Sequence, residues 1–233
     1  MRLRPARRAL LLAALAGLAL GAGCMDGRRW HAAMAAGRTA QAEGRLEDAA
    51  RSFAGALAAA ESLPPEHPCV TESQDRLGAV YYLLGRHEEA EPLFRRLATS
   101  LERILGPGHP TLARSLNSLG EVERARGRPR EAEEHYRRAV AIWERTLGPD
   151  NATTAVGVDG LGRALHAGGR FVEAEERYRR ALRIREALTP PPAREIAETL
   201  ENLADAVRRQ GRGAEADEVA ARARSVGAGA ARP

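Results

Sequence analysis

The side chains best suited to metal binding or catalysis are scattered along this 233-residue sequence. A zinc site on a helix needs two histidines four residues apart, or a pair of closely spaced cysteines. No histidine has such a neighbour, and the two cysteines lie far apart; the histidines are His31, His67, His87, His109, His135 and His166. No glycine-rich phosphate loop or nucleophile elbow is present either. The sequence therefore predicts no metal site, no cofactor and no catalytic residues, and we expect that the protein is not an enzyme.

Two of the histidines share a context that favours a structural role. His67 and His109 lie 42 residues apart, and each precedes a proline. This repetition is typical of a link between structural units. Cys69 comes directly after His67 and its proline, at the start of a predicted helix. We interpret Cys69 as a half-buried small residue without redox function.

Charge separates the first residues from the rest of the chain. The sequence has a net charge of +5, and all of its basic residues are arginine. Four of these arginines lie within residues 1–8, and removing them lowers the net charge to +1. A chain so close to neutrality lacks the basic surface that nucleic acids attract, so we expect no nucleic-acid binding.

Three Arg-Arg pairs later in the chain could still form a basic stripe, at residues 95–96, 137–138 and 179–180. Glutamates stand four residues before these arginines, in the order that forms ion pairs along a helix. We therefore interpret the pairs as parts of a neutralised, solvent-exposed face.

The chain begins with the pattern of an export signal. Residues 1–8 carry arginines and no acid, and residues 9–22 carry no charge at all. This apolar run of 14 residues is short for a membrane-spanning helix, which needs about 20 residues, but it suits the apolar region of a signal peptide. Residues 1–23 are therefore predicted to be a signal peptide.

The end of this segment, Leu20-Gly21-Ala22-Gly23-Cys24, resembles the lipobox of bacterial lipoproteins. The resemblance implies cleavage before Cys24 and acylation of that cysteine, which would anchor the protein in a membrane. Met25, where lipoproteins of the inner membrane often have aspartate, slightly favours the outer membrane. Three alternatives remain: cleavage with export as a soluble protein, an uncleaved anchor, and an unmodified Cys24 thiol that pairs with Cys69.

A period of 42 residues organises the remainder of the chain. Gly-Arg dipeptides recur with this spacing from Gly85 to Gly211, and another stands 41 residues before the first of these. An alanine follows each glycine by five residues, and an aromatic residue follows four residues later in every unit except the last, which has Ala220. Prolines recur at the same spacing from Pro65 to Pro191. The agreement among unlike residue types predicts five homologous units.

These residues resemble the signature of the tetratricopeptide repeat, which places small and aromatic residues at fixed positions on two antiparallel helices. The usual repeat has about 34 residues, and the longer units here are similar to those of kinesin light chains. The resemblance implies an all-α fold, a right-handed superhelical solenoid of about five helix-turn-helix repeats with ten helices.

The predicted domain organisation places a short linker at residues 24–29 and the solenoid at residues 30–224. Its repeats are expected at residues 30–65, 66–107, 108–149, 150–191 and 192–224. The last repeat lacks a capping helix, so it must expose its outer face. Residues 225–233 are rich in glycine and alanine and are predicted to be a disordered tail.

Partners of tetratricopeptide proteins usually bind to the concave face that the first helix of each repeat lines. Carried over unit by unit, the resemblance implies a partner-binding groove that includes Tyr82, Arg114, Asn117, Arg124, Arg163, His166, Asn202 and Arg208. Asn117 is the strongest candidate, because the segment SLNSLG around it resembles the peptide-binding SLNNLG segment of kinesin-light-chain-like repeats. Its amide can both donate and accept hydrogen bonds.

Other groove positions suggest a mixed-charge partner. Arg114, Arg124 and Arg163 could hold a carboxylate in a fork of two hydrogen bonds. Three other units carry an acid at the position equivalent to Asn117, namely Asp75, Asp159 and Glu201. This departure argues against a ladder of asparagines along the whole groove.

Together these features predict a non-enzymatic scaffold or adaptor on the periplasmic side of a bacterial envelope, held there by a lipid anchor. Its partner is expected to be a segment of another envelope protein. Two alternatives stay open, a soluble exported adaptor and a non-catalytic accessory subunit of an envelope enzyme. The sequence does not determine the oligomeric state.

Overall fold

The structure is a computed structural model that describes residues 27–230, with side chains as far as residue 228. The predicted signal peptide and Cys24 lie outside the described residues. All regular elements in residues 27–230 are α-helices, so the all-α prediction is confirmed. The helices are α1 (Gly27–Ala42), α2 (Leu46–Ala59), α3 (Pro68–Leu83), α4 (His87–Leu105), α5 (Pro110–Ala125), α6 (Pro129–Leu147), α7 (Ala152–Ala167), α8 (Phe171–Glu186), α9 (Ala193–Arg209) and α10 (Gly213–Ala230). The chain divides into two compact units, residues 1–122 and 123–233.

Consecutive helices form hairpins whose tight turns contain the glycines of the Gly-Arg dipeptides. These five glycines have φ angles between 72° and 82°, a region that residues with a side chain rarely adopt. They are Gly44, Gly85, Gly127, Gly169 and Gly211. Equivalent glycines thus occupy equivalent corners, as the period of the sequence predicts.

The arginines after Gly85, Gly169 and Gly211 each form an ion pair with a glutamate of the preceding hairpin, a role that the sequence alone did not predict. Arg170 pairs with Glu173 of its own helix at 2.5 Å and with Glu133 of α6 at 2.7 Å. These hydrogen bonds raise the pKa of Arg170 above its ordinary value. The arginine that recurs after each glycine is the sequence signal from which this role could have been predicted.

In three of the units the aromatic residue packs against a glycine in the first helix of the same hairpin. A Cβ atom at Gly37 would lie 2.5 Å from the ring of Phe53, and one at Gly162 would lie 2.7 Å from the ring of Tyr178. Both rings are buried. Glycine therefore permits a helix approach that any larger residue would prevent.

The second helices carry the ion pairs that the sequence predicts. In each Arg-Arg pair the first arginine meets the glutamate four residues before it, at 2.5 to 2.8 Å. These pairs are Arg95–Glu91, Arg137–Glu133 and Arg179–Glu175. The interpretation of a neutralised face is confirmed for these arginines.

Both ends of the described chain are more helical than predicted. α10 continues to Ala230, because Val226 packs against the core of residues 123–233. The prediction of a disordered tail is therefore wrong for residues 225–230, whereas residues 231–233 lie outside the described part. α1 likewise begins at Gly27, within the predicted linker.

The two histidines that precede prolines cap helices, which confirms their structural interpretation. His67 accepts a hydrogen bond at Nδ1 from the backbone N–H of Cys69 at 3.1 Å. His109 accepts one from the N–H of Thr111, also at 3.1 Å. In the next unit Asn151 takes the same place, and its side chain accepts from the N–H of Thr153 at 2.8 Å.

These caps predict that stability depends on pH. Burial lowers the pKa of His67 and of His109 below the ordinary value of 6.5, and a protonated Nδ1 cannot accept a hydrogen bond. The contribution of the neutral caps is thus complete above pH 6.5 and is lost as the pH falls through the folded-state pKa. We expect the double variant His67→Asn/His109→Asn to be less sensitive to acid, because asparagine caps without titrating. Urea unfolding at neutral and mildly acidic pH would test this, and equal losses of stability in both proteins would contradict it.

Candidate partner-binding site

The first helices of neighbouring hairpins contact each other through polar side chains in residues 1–122. Arg114 of α5 donates to Asp75 of α3 at 3.3 Å. Tyr82 of α3 donates through its hydroxyl to Glu121 of α5, also at 3.3 Å. These two helices therefore present one joint surface, which we call the first-helix face.

Asn117 belongs to this first-helix face. It follows Arg114 by one helical turn, so the two side chains lie on the same side of α5. Asn117 is half-buried, and its Oδ1 atom is buried without a hydrogen-bond partner among residues 27–228. A buried acceptor without a partner is unfavourable. Asn117 therefore retains hydrogen-bonding capacity that a ligand could use.

In residues 123–233, α7 and α9 form the equivalent surface. His166 Nε2 lies 2.9 Å from an oxygen of Asp205, and the edge of the His166 ring packs on Phe171. Asn202, which lies on α9 together with Asp205, is half-buried. Arg208 instead donates to Asp217 of α10 at 2.8 Å. The guanidinium of Arg208 is thus engaged with the second helix of its own hairpin.

Asp159 has the position equivalent to Asn117, but the structure buries it. Its Oδ1 atom accepts from the hydroxyl of Thr199 at 2.7 Å and from Arg185 at 3.3 Å, and its Oδ2 atom lies 3.2 Å from Arg163. Asp159 and Arg185 are each only 7% exposed. Arg163 is thus held by a buried carboxylate. The sequence contained a signal for this buried ion pair, because Arg185 has the position at which the preceding unit has the apolar Trp143.

The buried phenol of Tyr178 lies within the field of this cluster. Burial raises the pKa of Tyr178, and the carboxylate of Asp159 raises it further. The guanidinium groups of Arg163 and Arg124 act in the opposite direction. Tyr178 therefore stays neutral at physiological pH, and Arg124 is close enough to contribute to the same electrostatic environment.

A model of the tetratricopeptide repeat matches residues 31–101, 72–144 and 112–187, which together span more than half of the chain. The chain belongs to the tetratricopeptide repeat family. This confirms the predicted fold class, an all-α solenoid of tetratricopeptide helix-turn-helix repeats.

Solved structures resemble this tetratricopeptide protein over most of its length. A Podosopora anserina protein with nearly identical TPR-like repeats of the kinesin-light-chain type has a TM-score of 0.71 and 26% identity, covering 88% of this chain and 98% of that chain. BtubC (BKLC) from P. vanneervenii has a TM-score of 0.74 and 20% identity, with coverage of 99% and 95%. MamA from Desulfovibrio magneticus RS-1 has a TM-score of 0.64 and 16% identity, with coverage of 90% and 100%. No curated protein matches the sequence.

The described part of this tetratricopeptide protein holds neither a candidate cluster of metal ligands nor a candidate membrane-spanning helix. Within it, no group of three or more histidine, cysteine or acidic side chains could hold a metal ion. None of its helices between residues 27 and 230 is both long and apolar enough to cross a membrane. Cys69 is buried, whereas the sequence predicts a half-buried residue.

The charges on these surfaces are largely satisfied from within the protein. Arg114, Arg163, His166 and Arg208 each have a carboxylate partner. A carboxylate of a ligand would have to displace these partners, so the predicted arginine forks are already occupied. The Oδ1 atom of Asn117, by contrast, has no partner among residues 27–228 that a ligand would have to displace.

Proposed function

We propose that this tetratricopeptide protein is a non-enzymatic scaffold that binds an extended segment of another protein on the first-helix face. Repeats of this family generally mediate protein–protein interaction. The observation that carries the proposal is the buried, unpartnered Oδ1 atom of Asn117. A backbone N–H of a bound peptide could donate to this atom, while the amide nitrogen donates to a peptide carbonyl.

The electrostatics of the face favour a segment of low net charge. Arg114 and Asp75 neutralise each other beside Asn117. A strongly acidic or strongly basic segment would gain attraction from one of these groups and repulsion from the other. A polar peptide that offers its backbone amides fits this surface better.

Recovery of partners by crosslinked pull-down would test the assignment. We expect Asn117→Ala to lower the recovery of the partner by about tenfold, because one backbone amide loses both of its hydrogen bonds. Thr99→Ala on the exposed side of α4 is the matched control and should leave recovery unchanged. Circular dichroism would verify the fold of both variants. Equal recovery by all three proteins would refute the role of the first-helix face.

We further propose that the scaffold is held at the bacterial envelope by acylation of Cys24. The lipobox-like segment that precedes this cysteine supports the proposal. The chain has two cysteines, and a thioether on Cys24 excludes a disulfide between them. Acylation and the pairing of Cys24 with Cys69 are therefore exclusive chemical states.

Metabolic labelling with palmitate separates these states. If Cys24 is acylated, the wild-type protein carries the label, and Cys24→Ser both loses it and leaves the membrane fraction. An unlabelled protein whose mobility on a denaturing gel changes on reduction would instead identify a disulfide-bonded, exported adaptor. That outcome would overturn the lipid anchor without affecting the proposed binding surface.

A further inference from the structure

A pocket of about 440 Å³ lies in residues 1–122, away from the first-helix face. Its walls are mostly apolar and come from α2, from the link that follows it and from α3. Leu57, Leu63 and Leu77 are among the apolar side chains that line it, and Arg96 of α4 completes the lining. None of the residues assigned to the partner-binding groove lines this pocket.

The pocket exists because the first unit has small side chains where later units have large ones. Ala60 lines the pocket, and the equivalent residues of the next three units are Leu101, Trp143 and Arg185, all of them buried. Ala54 also lines it, and the next three units have an arginine at that position. The missing side-chain volume is open space in the first unit.

Gln74 places an unsatisfied polar group in this space. It is 4% exposed and lines the pocket, and its Oε1 atom is buried without a hydrogen-bond partner in the described part of the chain. The equivalent positions are apolar in the other units: Leu116, Val158 and Leu200. A glutamine at a core position is unfavourable unless something bonds to it. Its presence points to a ligand with a hydrogen-bond donor.

Two charged groups also line the pocket, and neither forms an ion pair with another residue that the structure describes. Arg96 donates through Nε to the carbonyl of Pro92 at 3.3 Å but forms no ion pair with any described residue. Glu61 has no ion-pair partner among the described residues either. The equivalent residues of the fourth and third units, Arg180 and Glu144, form an ion pair at 2.6 Å.

We propose that this pocket binds the C-terminal residue of a peptide chain, with an apolar side chain. One such residue carries all three complementary groups. Its backbone N–H donates to Gln74 Oε1, its side chain fills the space beside Ala60, and its terminal carboxylate pairs with Arg96. An internal segment fits less well, because it has no terminal carboxylate that could pair with Arg96. The carboxylate of Glu61 disfavours an acidic side chain at the second-last residue of the bound peptide.

The binding test compares a peptide acid with its amide on the full-length chain. The probes are acetyl-Gly-Val-Leu with a free carboxylate and the same peptide with a C-terminal amide, titrated by calorimetry. We expect the acid to bind at least about tenfold more tightly than the amide, as a charge-assisted hydrogen bond requires. Arg96→Gln should abolish this preference. The exposed Arg95→Gln, which loses a guanidinium paired with Glu91, is the matched control and should preserve it.

Two further variants test the pocket itself and are expected to fold. Gln74→Leu and Ala60→Leu each restore the residue that the next unit has at the equivalent position. Both should remove binding of the acid and of the amide while leaving the melting temperature unchanged or higher. Equal affinity for acid and amide would overturn the C-terminal assignment. Binding that survives Ala60→Leu, or no binding by the wild type at millimolar peptide, would overturn the pocket as a site.

Discussion

Replacing Asp159 by leucine should lower the free energy of unfolding by about 3–5 kcal/mol, the cost of leaving a buried charge without its partner. The variant keeps Arg185, which is 7% exposed and pairs with Asp159 through its guanidinium. The hydroxyl of Thr199 also loses its 2.7 Å contact with the carboxylate. Urea unfolding monitored by circular dichroism would measure the change.

The chain offers a matched control for this substitution. Asp75 occupies the equivalent position two units earlier, and its partner Arg114 is exposed. Asp75→Leu should therefore cost less than about 1 kcal/mol. The double variant Asp159→Leu/Arg185→Trp should regain much of the loss, because it replaces both charges with apolar groups. If Asp159→Leu costs no more than Asp75→Leu, the buried pair does not stabilise the fold as we infer.

Alanine at two glycines of the first hairpin should change stability in opposite directions. Gly37→Ala should destabilise by about 1–3 kcal/mol, because its Cβ would lie 2.5 Å from the buried ring of Phe53. Gly55→Ala should stabilise by up to about 1 kcal/mol, because the exposed Gly55 lies within α2 with nothing within 4 Å of an added Cβ.

Thermal unfolding of the two glycine variants measures both effects on the same scale. The helix propensity gained is the same at each position, so the difference between the variants reports the packing against Phe53. A rise in melting temperature for both variants would contradict the close approach of α1 and α2.

Much of the fold follows from local signals that recur along the sequence. Glycines such as Gly85 and Gly127 predicted the hairpin corners, because a positive φ angle is a property of a single residue. Aromatic residues such as Tyr178 predicted the packing between helices, because their spacing repeats with the glycines. The end of α10 was predicted less well, because Val226 continues the helix through a contact that is distant in sequence.

The candidate site was predicted only in part. The sequence identified Asn117 as a polar residue on a first helix, and the structure shows that its Oδ1 atom is buried and unpartnered. The sequence suggested free arginine forks, whereas Arg163 pairs with a buried carboxylate. Gln74 was not identified as a site residue from the sequence, and the structure shows that it lines the pocket in residues 1–122.

The sequence by itself determined the family, the helical hairpins and the register of equivalent positions, because these depend on short-range preferences repeated five times. Only the tertiary structure decided what each equivalent position does. Asp75, Asn117 and Asp159 share one register, yet the first forms an exposed pair, the second keeps an unused amide and the third is buried. The difference lies in the side chain that the neighbouring hairpin places opposite, about 40 residues away, as Thr199 is from Asp159. Such contacts depend on geometry that a one-dimensional period does not contain.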